Sequence, residues 1–282
     1  MALVTAADIA AFVNTVWEDA LLVARDNNLM AGIVTGFGDR SGTAVRSLQT
    51  YGTATINTLA EADDLVSQSF TPSQLATLTP AELGAQFFVT DLREETDPFG
   101  VRSAAALELG QAMAEKIDRD LLSDFASLTG GTVGTSGSTN SWGYFAAMLT
   151  RLKAQKAPMP YVYVCHPYQW HPLAKAASVA GTHTNIGPAL ADNINRNFFV
   201  GNVMGVDIYV TANLPLSGTD AKPAMFSRAA LALDIRRAPR IEAERDSSRR
   251  GVELNLSGVY AHGVWRKTFG VQGIFDCQAP TS

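Results

Sequence analysis

Apolar positions recur at helical spacing from the start of the chain. Ile9, Phe12, Val13, Val16, Trp17, Ala20, Val23 and Ala24 fall on one helix face, and Thr5 and Asp8 stand at capping-box spacing before them. Asn27-Asn28 and Gly32 end that pattern. Such a stripe packs either into a core or onto a neighbouring copy. From Thr43 to Ala81 the texture changes to Thr, Ser, Gln, Ala and Leu, with Arg46, Glu61, Asp63 and Asp64 as its only charges. Val45 to Ile56 and Gln86 to Leu92 read as extended, and Pro72 and Pro80 lie between them. This predicts a long, weakly charged, two-stranded excursion that cannot bury itself on both sides.

The clearest periodic run follows. Asp97 is suited to an N-cap and Pro98 to a first helical residue. Val101, Ala105, Leu109, Met113, Ile117, Leu121, Phe125 and Leu128 form one stripe, ended by Gly130-Gly131. Roughly thirty residues at ~1.5 Å each make a rod of ~45 Å. Thr129 to Ser141 is a Gly/Ser/Thr loop and a predicted boundary. A helix is expected over Trp142–Lys156, a strand over Tyr161–Cys165, a short helix from His166-Pro167 to Ala177, and a further helix over Pro188–Phe199. Val206–Thr211 reads as a strand. In the last third Leu231, Leu233 and Ile235 alternate with Ala232, Asp234 and Arg236. Ile241 and Ala243, then Val252, Leu254 and Leu256, continue the alternation around a turn at Asp246–Gly251, which predicts a hairpin. Val264 to Phe275 adds further strand.

Composition narrows the function. The 282 residues are 46% hydrophobic and 17% charged, with a net charge of -5, so a sequence-independent nucleic-acid binder is not expected. No apolar run approaches the ~20 residues that span a bilayer, and Met1 to Asp8 lacks a basic leader. Two cysteines, Cys165 and Cys277, do not make a disulfide framework. The catalytic motifs GxSxG, HExxH and GxxxxGK[ST] are absent, as is a GxGxxG after a strand. Cys165, His166 and His171 come nearest to a metal site, but a fourth ligand would have to come from His183, His262 or Cys277, all distant in sequence. A buried strand cysteine and helix-start histidines explain them better. Glu94, Glu95 and Asp97 read as favourable charge at a helix N-terminus. Arg236, Arg237, Arg240, Arg245, Arg249 and Arg250, interleaved with Glu242, Glu244 and Asp246, read as a salt-bridged hairpin.

The order of elements and five local segments carry a resemblance. The segments are LAEADDL at Leu59–Leu65 with Ser69-Phe70, LTPAELGAQFFVTD at Leu78–Asp91, VYVCHPYQW at Val162–Trp170, MGVDIYVTANLP at Met204–Pro215, and Arg240–Val264. Together they resemble the tailed-bacteriophage major capsid proteins of the Hong Kong 97 type. The resemblance implies an α+β, Hong Kong 97-like fold. Its parts would be an N-terminal arm at 1–42, an extended E-loop hairpin at 43–97, and a peripheral (P) domain with a long spine helix at 98–141. An axial (A) domain at 142–230 and P-domain strands at 231–282 would complete it. It also implies a structural, non-enzymatic subunit of the virion capsid, with no cofactor and no metal.

Such a subunit would assemble in the host cytoplasm into hexamers and pentamers of an icosahedral head. The head would enclose double-stranded DNA without sequence-specific binding and without a membrane. A separate scaffolding protein, a portal protein and a decoration protein are the partners this implies. Intersubunit contacts are expected from Phe12, Trp17, Arg46, Glu61, Asp63, Asp64, Phe70, Arg245 and Arg249. The founding member joins subunits through an E-loop lysine and an asparagine near the P-domain hairpin. Here Thr43–Leu92 has no lysine and Asp246–Gly251 no asparagine, so a non-covalent shell is expected. The alternatives are an encapsulin-type nanocompartment shell and a soluble α/β enzyme using Cys165 or the acidic cluster.

Overall fold

The computed structural model describes residues 29–39, 42, 44–51, 54–58, 64, 67–96, 100–179 and 201–280. The apolar stripe Ile9–Ala24, the expected cap Asp97-Pro98 and the expected helix Pro188–Phe199 lie outside these residues.

A long antiparallel hairpin forms the first structural unit. Strands β12 (Leu231–Asp246) and β13 (Gly251–Val264) pair across the expected turn, where the Asp246 carboxylate accepts from the Ser248 and Arg249 N–H groups at 2.9 and 3.1 Å. Register shifts at Ile235/Arg237 and Arg237/Arg240 absorb Pro239, so one 16-residue strand replaces two short ones. Strand β1 (Thr35–Phe37) adds in parallel to β12, and β4 (Ala81–Thr90) adds antiparallel to β13, giving the order β1-β12-β13-β4.

The excursion differs from expectation in its return strand. β2 (Arg46–Tyr51) pairs with β3 (Pro72–Leu78), not with Gln86–Leu92. The segment Leu78–Asp91 spans the end of β3 and all of β4, and belongs mostly to the long sheet. Pro72 is tolerated because it is the first residue of an edge strand.

The long helix also differs, in length. α2 (Asp91–Thr96) is a separate short helix containing Glu94 and Glu95; α3 (Val101–Ser123) begins after Gly100, whose φ of 73° breaks the helical run. The helix is 23 residues, about 35 Å, and a 3₁₀ turn at Asp124–Ser127 continues it. Leu109, Met113, Ile117, Leu121, Phe125 and Leu128 are buried as the stripe requires. Asp118, also buried, accepts from the Leu29 and Met30 N–H groups at 3.3 and 3.1 Å and so caps α1 (Leu29–Ile33). Gly32 therefore does not end helical structure there. Burial pushes the Asp118 carboxyl pKa up.

The second unit is a six-stranded sheet. It takes β5 (Thr132–Val133), β6 (Tyr161–Cys165), β7 (Asn202–Val203), β8 (Val206–Val210), β11 (Ala224–Ser227) and β14 (Gly270–Gly273) in the order β5-β14-β11-β6-β8-β7. Helix α4 (Trp142–Ala154) is N-capped by Ser141, and α5 (Pro167–Val179) follows β6. Tyr161, Tyr163 and Cys165 pack with Phe145, Met148, Leu152 and Trp170 on one face; Val162, Val164 and Phe226 pack toward α3 on the other. The Thr129–Ser141 loop, expected as a boundary, is instead stitched into this unit. Gly130 donates to the Gly270 carbonyl at 2.9 Å, and Asp220 holds Ser136 and the Gly137 N–H. A Cβ at Gly130 would lie 2.5 Å from that carbonyl. A small sheet of β9 (Leu216–Ser217), β10 (Asp220–Ala221) and β15 (Phe275–Asp276) flanks it. Thus β14 and β15 leave the long sheet and pair within the central α/β unit.

Where the 3₁₀ turn meets β13, His262 Nδ1 lies 2.9 Å from Asp124 Oδ2, and its Nε2 lies 3.8 Å from Asp120 Oδ2. Tyr260 donates to Asp120 at 2.7 Å, and Lys116 bonds the same carboxylate at 2.6 Å. The Asp124 hydrogen bond raises the His262 pKa, against burial and the Lys116 charge; Asp120 helps. A raised folded pKa gives stability that is complete below the ordinary value of 6.5 and lost as pH rises through the folded value. Unfolding of the unassembled subunit should show wild type exceeding His262→Gln most below pH 6.5, with the gap closing above the raised pKa. A gap independent of pH would contradict the ion pair.

Candidate functional site

The β2–β3 hairpin is a two-stranded ribbon, a form too thin to be stable unaided. Its root is held by charge buried under it. The Asp234 side chain is fully buried in β12. Arg46 Nε donates to Asp234 Oδ2 at 2.8 Å, and Arg236 Nη2 forms an ion pair with the same oxygen at 2.8 Å. Arg46 also pairs with Asp39 and lies 4.3 Å over the Phe37 ring. Arg236 reaches the Ala44 carbonyl at 3.0 Å, fixing the chain just before β2. Burial, the largest single influence on Arg46, lowers its pKa, but Asp234 and Asp39 together outweigh it and hold it above the ordinary value.

Toward its tip the hairpin turns apolar side chains to solvent. Tyr51 and Phe70 stack at 4.8 Å with planes 10° apart, yet are 53% and 70% exposed. Ile56 and Leu75 are also exposed. Gln68 bridges to the Thr55 backbone, its Oε1 accepting at 2.8 Å.

The far end of the long sheet is polar. Arg245 holds Asp91 in a two-pronged pair at 2.5 and 2.8 Å, and this hydrogen bond is the main cause of the lowered Asp91 pKa. Arg249 lies 3.3 Å from Glu253 and 4.3 Å over Phe88. Arg237 pairs with Glu82, and Glu94 with Arg102 at the start of α3. Glu94 thus ties α2 to α3, and Asp97, the third member of the acidic cluster, lies outside the described residues.

The nine contact candidates therefore separate. Arg46 sits at the hairpin root with its named partners inside its own chain, and Arg245 and Arg249 sit together at the polar end. Phe70 is at the exposed tip and Asp64 is exposed. Phe12, Trp17, Glu61 and Asp63 lie outside the described residues. Asp234, Tyr51 and Tyr260 were not singled out by sequence, and Arg236 was expected only as one arginine of a salt-bridged hairpin. Strict alternation places Asp234 and Arg236 outward; the hairpin root covers that face and buries them.

Cys165 and Cys277 are free, buried thiols; burial raises both, Cys277 to about 11. His166 immediately precedes α5 and accepts from the Tyr168 N–H at 3.2 Å, and burial lowers its pKa. Among the described residues no three His, Cys, Asp or Glu side chains gather as metal ligands. No helix among them is long and apolar enough to cross a membrane.

A model of a family described as phage capsid protein matches residues 74–272, which holds β4, α3, the six-stranded sheet and the long hairpin. The chain belongs to the phage capsid protein family. No curated protein matches the sequence significantly. Among solved structures this capsid protein is similar to a chain from Mycobacterium phage Che8, at 19% identity and TM-score 0.68, over 87% of this chain and 90% of that one. It is similar to the capsid of cyanophage Pam1, at 11% identity and TM-score 0.71, over 88% and 89%. It is also similar to the virus-like particle of Pyrococcus furiosus, at 11% identity and TM-score 0.62, over 94% and 99%. The fold is the Hong Kong 97-like capsid fold. It does not by itself separate a phage head from other shells; the family match over most of the chain favours the phage capsid over an encapsulin-type shell.

Breaking the root should be costly. Asp234→Ala leaves two guanidinium groups buried without their carboxylate and should lower unfolding stability by about 3–5 kcal/mol in urea titrations. Asp91→Ala, at the exposed end, should cost far less. Equal effects would mean that the root is not anchored by Asp234.

Proposed function

We propose that the chain is the major capsid subunit of a closed icosahedral head, arranged as hexamers and pentamers around double-stranded phage DNA. The observation that carries this is the hairpin. A ribbon anchored by a buried ion triad presents Tyr51, Ile56, Phe70 and Leu75 to solvent. That is a firm root with an apolar surface suited to being covered by another molecule. Residues 1–42 serve as arm, 43–97 as E-loop, 98–141 and 231–282 as the P domain, and 142–230 as the A domain. In this assignment β14 and β15, although in the last block, brace the A domain. Asp64, Phe70, Arg245, Arg249 and, outside the described residues, Phe12, Trp17, Glu61 and Asp63 meet neighbours. Arg46 serves the same interface indirectly by fixing the hairpin.

Assembly takes place in the host cytoplasm with a separate scaffolding protein and a portal protein. The subunit acts structurally, not as an enzyme. The net charge of -5 supports enclosure of DNA without many phosphate contacts.

Electron microscopy of the purified protein should show regular shells. The double substitution Tyr51→Ser with Phe70→Ser should leave the subunit's thermal unfolding nearly unchanged, because both rings are exposed, and reduce shell yield on a gradient at least about tenfold. Normal shells from that variant would overturn the hairpin's role.

Boiling the particles in detergent and reductant should release one band near 30.1 kDa. Multimers surviving that treatment would show a covalent shell.

A further inference from the structure

Among the described residues the long sheet ends in a strand with one open edge. β4 is its outermost member, with β13 on one side and no strand on the other among the described residues. The Asp91 N–H donates to the Arg250 carbonyl at 3.0 Å, and the register Thr90↔Gly251 to Ala81↔Tyr260 runs without a bulge. Backbone groups alternate sides along an antiparallel strand. Those of residues 81, 83, 85, 87 and 89 therefore face β13, and those of 82, 84, 86, 88 and 90 face away. Gly84 is exposed, and having no side chain it exposes backbone.

Edges of this kind are ordinarily blunted by lysine, proline or bulges. β4 has none of these, and its single charge, Glu82, is matched by Arg237. Phe87 beside the edge is 41% exposed.

The strand that sequence order would put there is β3, joined to β4 by Thr79-Pro80 alone. A two-residue hairpin needs left-handed backbone, which proline's ring forbids. Accordingly β3 turns away and pairs with β2, and its other edge has no strand partner among the described residues. β3 carries no charge, so it can lie on β4 without burying an unpaired one, and its Leu75 is 41% exposed, like Phe87.

We propose that in the shell the open edge of β4 is filled by β3 from a second copy of the chain, so that the long sheet continues from one subunit into the next. This rests on the shell reading above. It names both strands of the contact and makes it a backbone one, independent of the tip rings.

Hydrogen exchange on wild-type protein tests it. The amides of 82, 84, 86 and 88 should exchange freely in the unassembled subunit and slow by at least about a hundredfold in shells, while those of 83, 85 and 87 are protected in both. A photo-reactive p-benzoylphenylalanine at position 86 should cross-link in shells to residues 72–78 of another copy. Gln86→Pro, which removes an outward N–H, should leave a folded subunit and reduce shell yield at least tenfold, whereas Ala85→Pro should unfold the sheet. Should Gln86→Pro fail to fold, exchange and cross-linking decide the matter. Unchanged exchange on assembly, or cross-links to residues 1–28 or elsewhere, overturns the proposal while leaving the shell reading intact. Absence of shells from wild type overturns the shell reading itself.

Discussion

A carboxylate with no access to water sits where the hairpin leaves the body. Asp234 is surrounded by the Arg46 and Arg236 guanidinium groups, and its Oδ1 has no hydrogen-bond partner among the described residues. In a medium of low dielectric such a group is tolerable only while its partners stay in place. Arg46 comes from the hairpin, Arg236 from β12, and Arg236 also bonds the backbone at Ala44. The triad therefore ties the position of a thin ribbon to the most extensive sheet of the molecule. What the hairpin presents farther out, the Tyr51–Phe70 stack, depends on that tie.

The two structural units share one core. Leu109 to Leu128 of the long helix and its 3₁₀ extension pack with Leu254 and Leu256 of the long hairpin and with Val162, Val164 and Phe226 of the six-stranded sheet. Asp118 on that helix caps α1, and His262 joins its end to β13. A displacement of the helix would disturb both sheets at once. This is a useful property in a subunit whose work is to keep its shape while neighbours pull on its edges.

The similarity to these solved structures at 19% identity or less has a physical basis. What recurs is the placement of apolar and polar positions along the elements, and many side chains satisfy the same pattern. Here that pattern is filled by Leu, Met, Ile and Phe on the long helix and by alternating Val, Leu and Ile on the hairpin strands. None of these positions requires a particular residue, whereas Asp234, Gly100 and Gly130 do, because charge burial, left-handed backbone and close backbone approach leave few substitutes.

Local pattern was enough to read the helical stripe from Leu109 to Leu128, the alternating strands around the turn at Asp246, and the short apolar run Tyr161–Cys165, which is buried on both faces. The class of fold and the capsid role came from the resemblance to a known family that their order and the five local segments carry. Pairing between distant segments was not legible. Whether Gln86–Leu92 returned to β2 or joined β13 depended on Pro80 and on which neighbour buried Val89, and sequence spacing is blind to both. The same holds for Asp234 and Arg236, which alternation assigns to solvent. Only the tertiary structure, by laying the hairpin root across that face of β12, made them a buried ion triad, since burial is a property of what lies opposite a residue and not of the residue itself.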